Sequence, residues 1–356
     1  MATDALLHPM NDEPNRNNQR SVVALAGGIG GSRFLRGLRH ALQERTARDG
    51  VDTQITVIGN TGDDIWIHGL RVCPDLDTVM YTLGGGISEE RGWGREQETF
   101  TVKEELAAYG VEPTWFGLGD RDIATHLVRT QALAAGYTLS EVTLALCERW
   151  QPGVRLLPMS DDRAETHVLV DDPEHGRTAI HFQQWWIKHR AALPAHGFPI
   201  VGIDEARPAP GVIEAIGAAD VILLPPSNPI VSIGTILSVP GIRDALIAAP
   251  APIIGLSPII GDAPVRGMAD ACLTALGVPT TAAGVAAHYG GRTEGGLLDG
   301  WLIDSTDAAH LASITAMNIN CRAIPLYMTS VEATALMAES ALELAQEVHG
   351  AQQSRP

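Results

Sequence analysis

The chain has 356 residues, 45% of them hydrophobic and 37 of them glycine, with a formal net charge of −17. That is enough apolar material for one large domain, or two smaller ones, with a sizeable core. So acidic a surface repels the nucleic-acid backbone and argues against a basic helix lying on a membrane.

Residues 1–20 are polar, with Asn17, Asn18 and Gln19 in series. They lack the apolar core of a signal peptide, and a disordered tail on a cytoplasmic protein is expected. Order begins at "SVVALAGGIGGSRFLRGLRHAL", Ser21 to Leu42. Val22 to Ala26 reads as a buried strand, glycines follow, and Phe34, Leu35, Leu38 and Leu42 fall at helical spacing. "QITVIG" is again short, β-branched and apolar, so the chain opens like a parallel α/β sheet.

Gly28, Gly30 and Gly31 between strand and helix suit an anion, because bare backbone and a helix N-terminus both favour phosphate. The alternative is a tight turn and nothing more. A dinucleotide fingerprint would need a third glycine where Arg33 stands and an acid closing the second strand, where Gly59 and Asn60 stand instead. A nicotinamide-dependent oxidoreductase is therefore a poor fit. Arg33 and Arg36 offer charge to an anion near the turn.

"VIGNTGDDIWIHGLRVCPDLDT" follows, with Asp63, Asp64, Asp75 and Asp77 where a parallel strand should end. Ligands of open α/β sheets bind along that edge. Gathered carboxylates repel one another and call for protons or a hard cation, and magnesium is the usual companion of phosphate. One of them could instead act as general base. Asp75 and Asp77 are also plausible caps for the helix "TVMYTLGG".

Residues 83–199 read as an inserted α+β subdomain. It holds helices from Arg121 to Ala135 and at "TLSEVTLALCERW", the latter with a capping box of Thr138 and Glu141. Short strands follow at "ETHVLV" and "TAIHF". The charges at Asp120, Arg121, Asp122, His126 and Arg129 fit a solvated helix start. Trp185 or Trp186 packs the subdomain or stacks on a ring.

The α/β rhythm resumes with "GVIEAIGAA", "DVILLPPSNP", "IRDALIAA", "APIIGLSPIIG", "VRGMADACLTALG" and "CRAIPLYM". Ser227, Asn228 and Ser232 form a second loop junction on the sheet edge; Ser257, Gly261, Arg266 and Gly267 form a third. The last helix offers a capping box of Thr329 and Glu332, and residues 347–356 read as a flexible tail. Cys73, Cys147, Cys272 and Cys321 are isolated, as buried thiols in a reducing compartment would be, and no apolar run is long enough to span a membrane. The fold class is α/β, a Rossmann-like parallel sheet flanked by helices.

"LAGGIGGSRFLRGL", "GNTGDDIWIHGLRVCPDLDTVMYTLGG", "GDRDIATHLVRT", "LPMSDDRAETHV", "HFQQWW", "LPPSNPIVSIGTILSVPGIR" and "SPIIGDAPVRGMAD" occur in this order. Together they resemble the 2-phospho-L-lactate transferase family (CofD), most closely its actinobacterial members. The likeness runs from about Ser21 to the last helix. It implies a Rossmann-like homodimer acting in coenzyme F420 synthesis. The acceptor would be the deazaflavin Fo, through its ribityl hydroxyl, and the donor a guanosine diphosphate ester of a three-carbon acid, with GMP leaving. Actinobacterial relatives imply the enolpyruvyl donor and dehydro coenzyme F420-0; archaeal relatives imply the lactyl donor.

On that reading Asp63 and Asp77 are assigned to magnesium, with Asp64 and Asp75 as helpers or base. Gly28, Gly30, Gly31, Ser227, Asn228 and Ser232 are assigned to the guanosine diphosphate. Arg266 balances the acid's carboxylate or a phosphate. Asn60, Asp120, Arg121 and His126 are assigned to the acceptor. The non-enzyme alternative is a nucleotide-sensing module.

Overall fold

A computed structural model describes residues 19–353 of the chain. The tail expected over residues 1–20 lies outside them except at its end, where Arg20 already opens the first strand.

β1 (Arg20–Ala26) leads through Gly27 directly into α1 (Gly28–Asp49), and β2 (Thr53–Gly59) follows. A short hairpin, β3 (Ile65–Ile67) and β4 (Leu70–Val72), precedes α2 (Pro74–Leu83), α3 (Thr101–Ala108), α4 (Asp120–Ala134), α5 (Leu139–Trp150) and β5 (Arg155–Pro158). β6 (Glu165–Asp172), β7 (Gly176–His181), β8 (Ala195–Gly197) and β9 (Ile200–Val201) form a small antiparallel sheet. Then come α6 (Val212–Gly217), β10 (Val221–Leu224), α7 (Ile233–Ser238), α8 (Ile242–Ala248) and β11 (Ile253–Leu256). The hairpin β12 (Ile259–Ile260) and β13 (Ala263–Pro264) leads to α9 (Ala269–Ala275), α10 (Ala282–Tyr289) and β14 (Gly300–Asp304). The described chain ends with α11 (Leu311–Thr315), β15 (Asn320–Ile324) and α12 (Val331–Gln353).

Seven strands form the central sheet in the order β15-β14-β11-β10-β1-β2-β5, and every pairing is parallel. Such a sheet is covered on both faces, which is why its strands are apolar throughout rather than alternating. Val22, Ala24 and Ala26 of β1 face a core built with α1, α2, α5 and α12. Val23 and Leu25 face the other core, built with the helices from α6 to α11. From β1 the chain winds outward through β2 and β5; from β10 it winds the opposite way. The order therefore reverses between β1 and β10, and a crevice opens there at the carboxyl ends of the strands.

The span 83–199 is not one continuous excursion, because β5 lies in the central sheet beside β2. Helices α3 to α5 come before it and the small sheet after it. α2 starts at Pro74, a good first helical residue, so Asp75 and Asp77 stand inside its first turn rather than capping it. The Thr138–Glu141 capping box is present. At α12 the cap is Ser330, whose hydroxyl accepts from Ala333 N at 3.1 Å, one residue later than the expected Thr329. α12 continues to Gln353, past residue 346 where the sequence reading ends the domain. Among the described residues no helix is long and apolar enough to cross a membrane.

Candidate functional site at the sheet edge

The crevice is drawn tight by a reciprocal pair of hydrogen bonds. Gly27 N donates to Ser227 Oγ at 3.2 Å, and the Ser227 hydroxyl donates to Gly27 O at 2.8 Å. The loops after β1 and β10 are thus held together. Gly30 and Gly31 belong to the first turn of α1 rather than to a loop ahead of it. A Cβ on Gly30 would fall inside contact of Pro226 O, and one on Gly31 would lie 2.6 Å from Ser227 Oγ. Gly28 has φ +63°, a conformation that glycine adopts without strain. Asn228 shapes the second loop by accepting from Ile230 N and Val231 N. Ser232 stands over Gly27, where a Cβ would lie 2.8 Å from its hydroxyl. At the third junction the Ser257 hydroxyl is consumed by Ile259 O, and Gly261 N by Asp307.

The β3–β4 hairpin turns the chain back on itself, so Asp63 and Asp64 before it meet Asp75 and Asp77 after it. Asn60 joins them. Its amide donates to Asp75 Oδ2 at 2.9 Å and to Val231 O at 3.3 Å, and its Oδ1 accepts from Gly62 N at 2.9 Å. Fully buried and engaged at both polar atoms, Asn60 positions Asp75 and has no atom to offer an acceptor.

Asp63 and Asp75 face each other, and among the described residues neither forms an ion pair with a basic side chain. Burial, then the Asp75 charge, push Asp63 well above the usual carboxylate range. Its Oδ1 is buried with no hydrogen-bond partner. Burial raises Asp75 to about 6, while the Asn60 amide and the Gly28 N–H pull the other way. Two crowded acids that no arginine meets fit a hard divalent cation bound through oxygen; the orphaned oxygen itself is shared, since Asp64 Oδ1 and Asp77 Oδ2 are buried without a partner as well.

Asp64 and Asp77 differ. Arg71 Nη2 donates to Asp64 Oδ2 at 3.0 Å, and burial outweighs that pairing to raise Asp64 to about 6. Arg129 Nη2 pairs with Asp77 Oδ1. Behind that pair, His126 Nδ1 lies 3.1 Å from Arg129 Nη1, and His126 Nε2 lies 3.4 Å from Asp122 Oδ2. The Tyr81 hydroxyl donates to Asp122 Oδ1 at 2.6 Å. Asp77, assigned to magnesium beside Asp63, is therefore already met by a buried guanidinium.

His126 is 1% exposed and enclosed by that network. Asp122, His126 and Arg129 line the buried face of α4, so these three are not part of a solvated helix start. Asp120 accepts from Thr101 N, Val102 N and Thr99 Oγ1 and so caps α3; the exposed Arg121 donates through its N–H to Glu98. Sequence reasoning also missed the groups that hold the acids' backbone. Gln183 Nε2 donates to Asp63 O at 3.2 Å, and His181 Nε2 lies 3.1 Å from Asp64 O. The signal was present in "HFQQWW", where Trp185 packs in the core between Phe182 and Phe198.

A cavity of about 560 Å³ lies at the opposite, amino-terminal edge of the sheet, lined among others by Arg20, Thr53 and Pro252. None of the site residues lines it, and volume alone does not place chemistry there.

The family described as 2-phospho-L-lactate transferase CofD matches residues 22–332. A curated Streptomyces griseus protein called phosphoenolpyruvate transferase is 66% identical, over 92% of this chain and 99% of its own. Proteins of the same name from Streptomyces coelicolor and Thermobifida fusca are 64% and 63% identical, over 93% and 92% of this chain and 99% and 98% of theirs. Among solved structures, a UPF0052-family protein from Bacillus halodurans aligns with a TM-score of 0.59 at 17% identity, over 91% of this chain and 100% of that one. At that identity the likeness is one of fold alone.

Proposed function

Because the chain belongs to the 2-phospho-L-lactate transferase CofD family, we propose that it transfers a phosphoenolpyruvyl group to the ribityl hydroxyl of Fo. The donor is enolpyruvyl-diphospho-guanosine, GMP leaves, and dehydro coenzyme F420-0 forms. The names of the relatives support the transferred group. The observation that carries the chemistry is the buried pair of Asp63 and Asp75, met by no arginine and set against Gly27 of the glycine turn.

Asp63 and Asp75 would hold a magnesium ion. When bound, it neutralises charge on the diphosphate. The start of α1 and the Ser227–Asn228 loop cradle the nucleotide's phosphates with backbone N–H groups. Asn60 keeps Asp75 turned toward the crevice. The ribityl oxygen attacks the phosphorus distal to guanosine, and the bond to the bridging oxygen breaks with its electron pair going to GMP. The hydroxyl proton passes to a carboxylate of the cluster acting as general base. Asp64 and Asp77, each held by an arginine, form the fixed wall behind the reacting groups. The same reading carries a cytoplasmic homodimer, to be checked by light scattering and cell fractionation.

The test is to mix purified protein, Fo, magnesium and the enolpyruvyl donor, and to follow GMP and product mass with the lactyl donor in parallel. GMP with the enolpyruvyl product is expected. A folded protein that releases GMP from neither donor overturns the reading.

A further inference from the structure

Three arginines gather over the first two turns of α1. Arg36 is paired with Glu89. Arg33 and Arg266 have no ion pair or hydrogen bond among the described residues. Arg266 Nη1 reaches across Gly92, where a Cβ would stand 2.6 Å from it and 3.4 Å from Ile29 Cδ1. Ile29 lies one helical turn before Arg33, and a small cleft bordered by Ile29, Arg33, Thr82, Ser88 and Gly92, with the Arg36–Glu89 pair at its side, runs alongside. Partial burial first, and then the field of Arg266, hold the Arg33 guanidinium below its ordinary pKa. Glu89, which pairs with Arg36, also attracts Arg33, but less strongly than Arg266 repels it. Two neighbouring cations left in this state repel each other, and an anion between them relieves the repulsion.

We propose that Arg33 and Arg266 grip the carboxylate of the three-carbon acid carried by the donor, so that this pair recognises the group being transferred. The inference rests on the transferase reading above. Arg33 is five residues beyond Gly28, about 7.5 Å along the helix axis. The Arg33 backbone therefore stands little more than one turn back along α1 from a diphosphate at the glycine turn, within reach of its long side chain. The carboxylate is the donor's remaining charge, and it is borne on the carbon that carries the ester oxygen, on the side away from guanosine. Planar guanidinium groups match a carboxylate with paired N–H donors.

The test compares Arg33→Gln and Arg266→Gln with wild type, with Arg177→Gln on the exposed part of β7 as a control away from the cleft. The readouts are KM and kcat with the enolpyruvyl donor, and the inhibition constant of GDP, which has phosphates but no carboxylate. Each variant of the pair should raise KM about tenfold or more and leave GDP inhibition within about twofold, with kcat little changed. Arg33→Lys should recover part of the loss. Equal weakening toward GDP would assign the pair to the nucleotide's phosphates and overturn the proposal, as would an unchanged KM. Failure of the wild type to release GMP defeats the transferase reading itself; normal wild-type turnover with unaffected variants defeats only this inference.

Discussion

Asp63 and Asp64 are neighbours in the chain, and Asp75 and Asp77 are two apart, yet each pair is split between two environments. Asp64 and Asp77 each meet a buried guanidinium, that of Arg71 or Arg129. Asp63 and Asp75 meet each other, an amide and backbone N–H groups. All four are buried. Burial therefore does not separate wall from site; the counter-ion does. Where an arginine neutralises the acid, the result is a fixed scaffold. Where nothing does, excess negative charge remains for a cation to answer.

The sharpest way to break this division is to remove one acid from each side. Asp63→Asn should cut turnover on the order of a thousandfold, the scale of losing a group that organises charge on the transition state. It should also raise the melting temperature of the metal-free protein, since a buried repulsion is gone, and abolish the stabilisation that magnesium confers. Asp77→Asn should do the reverse in the thermal scan. It strands Arg129 without its partner, at a cost of about 3–5 kcal/mol. Magnesium should still stabilise whatever protein remains folded. If Asp77→Asn lost the magnesium response and Asp63→Asn kept it, the two roles would have to be exchanged.

A smaller effect tests whether the nucleotide lies beside the Asp63–Asp75 pair. Gly30→Ala pushes a methyl group against Pro226 O and forces the β1 and β10 loops apart. The strain should cost about 1–3 kcal/mol, as overpacking a tight site does. GDP affinity should fall with it, while the Asp77–Arg129 network is untouched. A loss of stability with unaltered GDP binding would remove the nucleotide from the switch point.

Much of this was legible in the sequence, and the failures have a physical pattern. Apolar runs with glycine turns gave the parallel sheet, because strands buried on both faces need no alternation. The acidic stretch after β2 was expected at the carboxyl edge, where such sheets bind ligands, and the structure places it there. Inside it the structure brings Asp63 to Asp75 and gives Asp77 to Arg129, not Asp63 to Asp77. Asp63 and Asp64 stand in a turn closed by Asp64 N donating to Thr61 O at 3.2 Å, and residues two apart on a helix do not share a face. Asp63 with Asp75, and Asp64 with Asp77, is a division this geometry allows, but only the hairpin fixes which member of each pair meets the other. Arg129 escaped because charge on α4 suggests solvent, although Asp122, His126 and Arg129 fall at i, i+4 and i+7 on one face. Asn60, assigned to the acceptor, is consumed by its neighbours, which no local pattern reveals.

The smallest effect separates two acids that share a pKa of about 6, Asp64 and Asp75. Both stand above the ordinary aspartate value of about 3.9. Each therefore contributes stability that is full below pH about 4 and is lost as pH rises through about 6. From these two groups the metal-free protein should become easier to denature across that window. Magnesium reverses the sign at one of them. It needs Asp75 ionised, so its affinity should weaken as pH falls through about 6, by up to about tenfold per pH unit. Melting curves with and without magnesium between pH 5 and pH 8 would show the shift growing toward the alkaline end. Asp75→Asn should flatten that dependence. Asp64→Asn, whose acid faces Arg71, should leave the dependence in place on a less stable protein, and a flattened profile there would move the cation from Asp75 to Asp64.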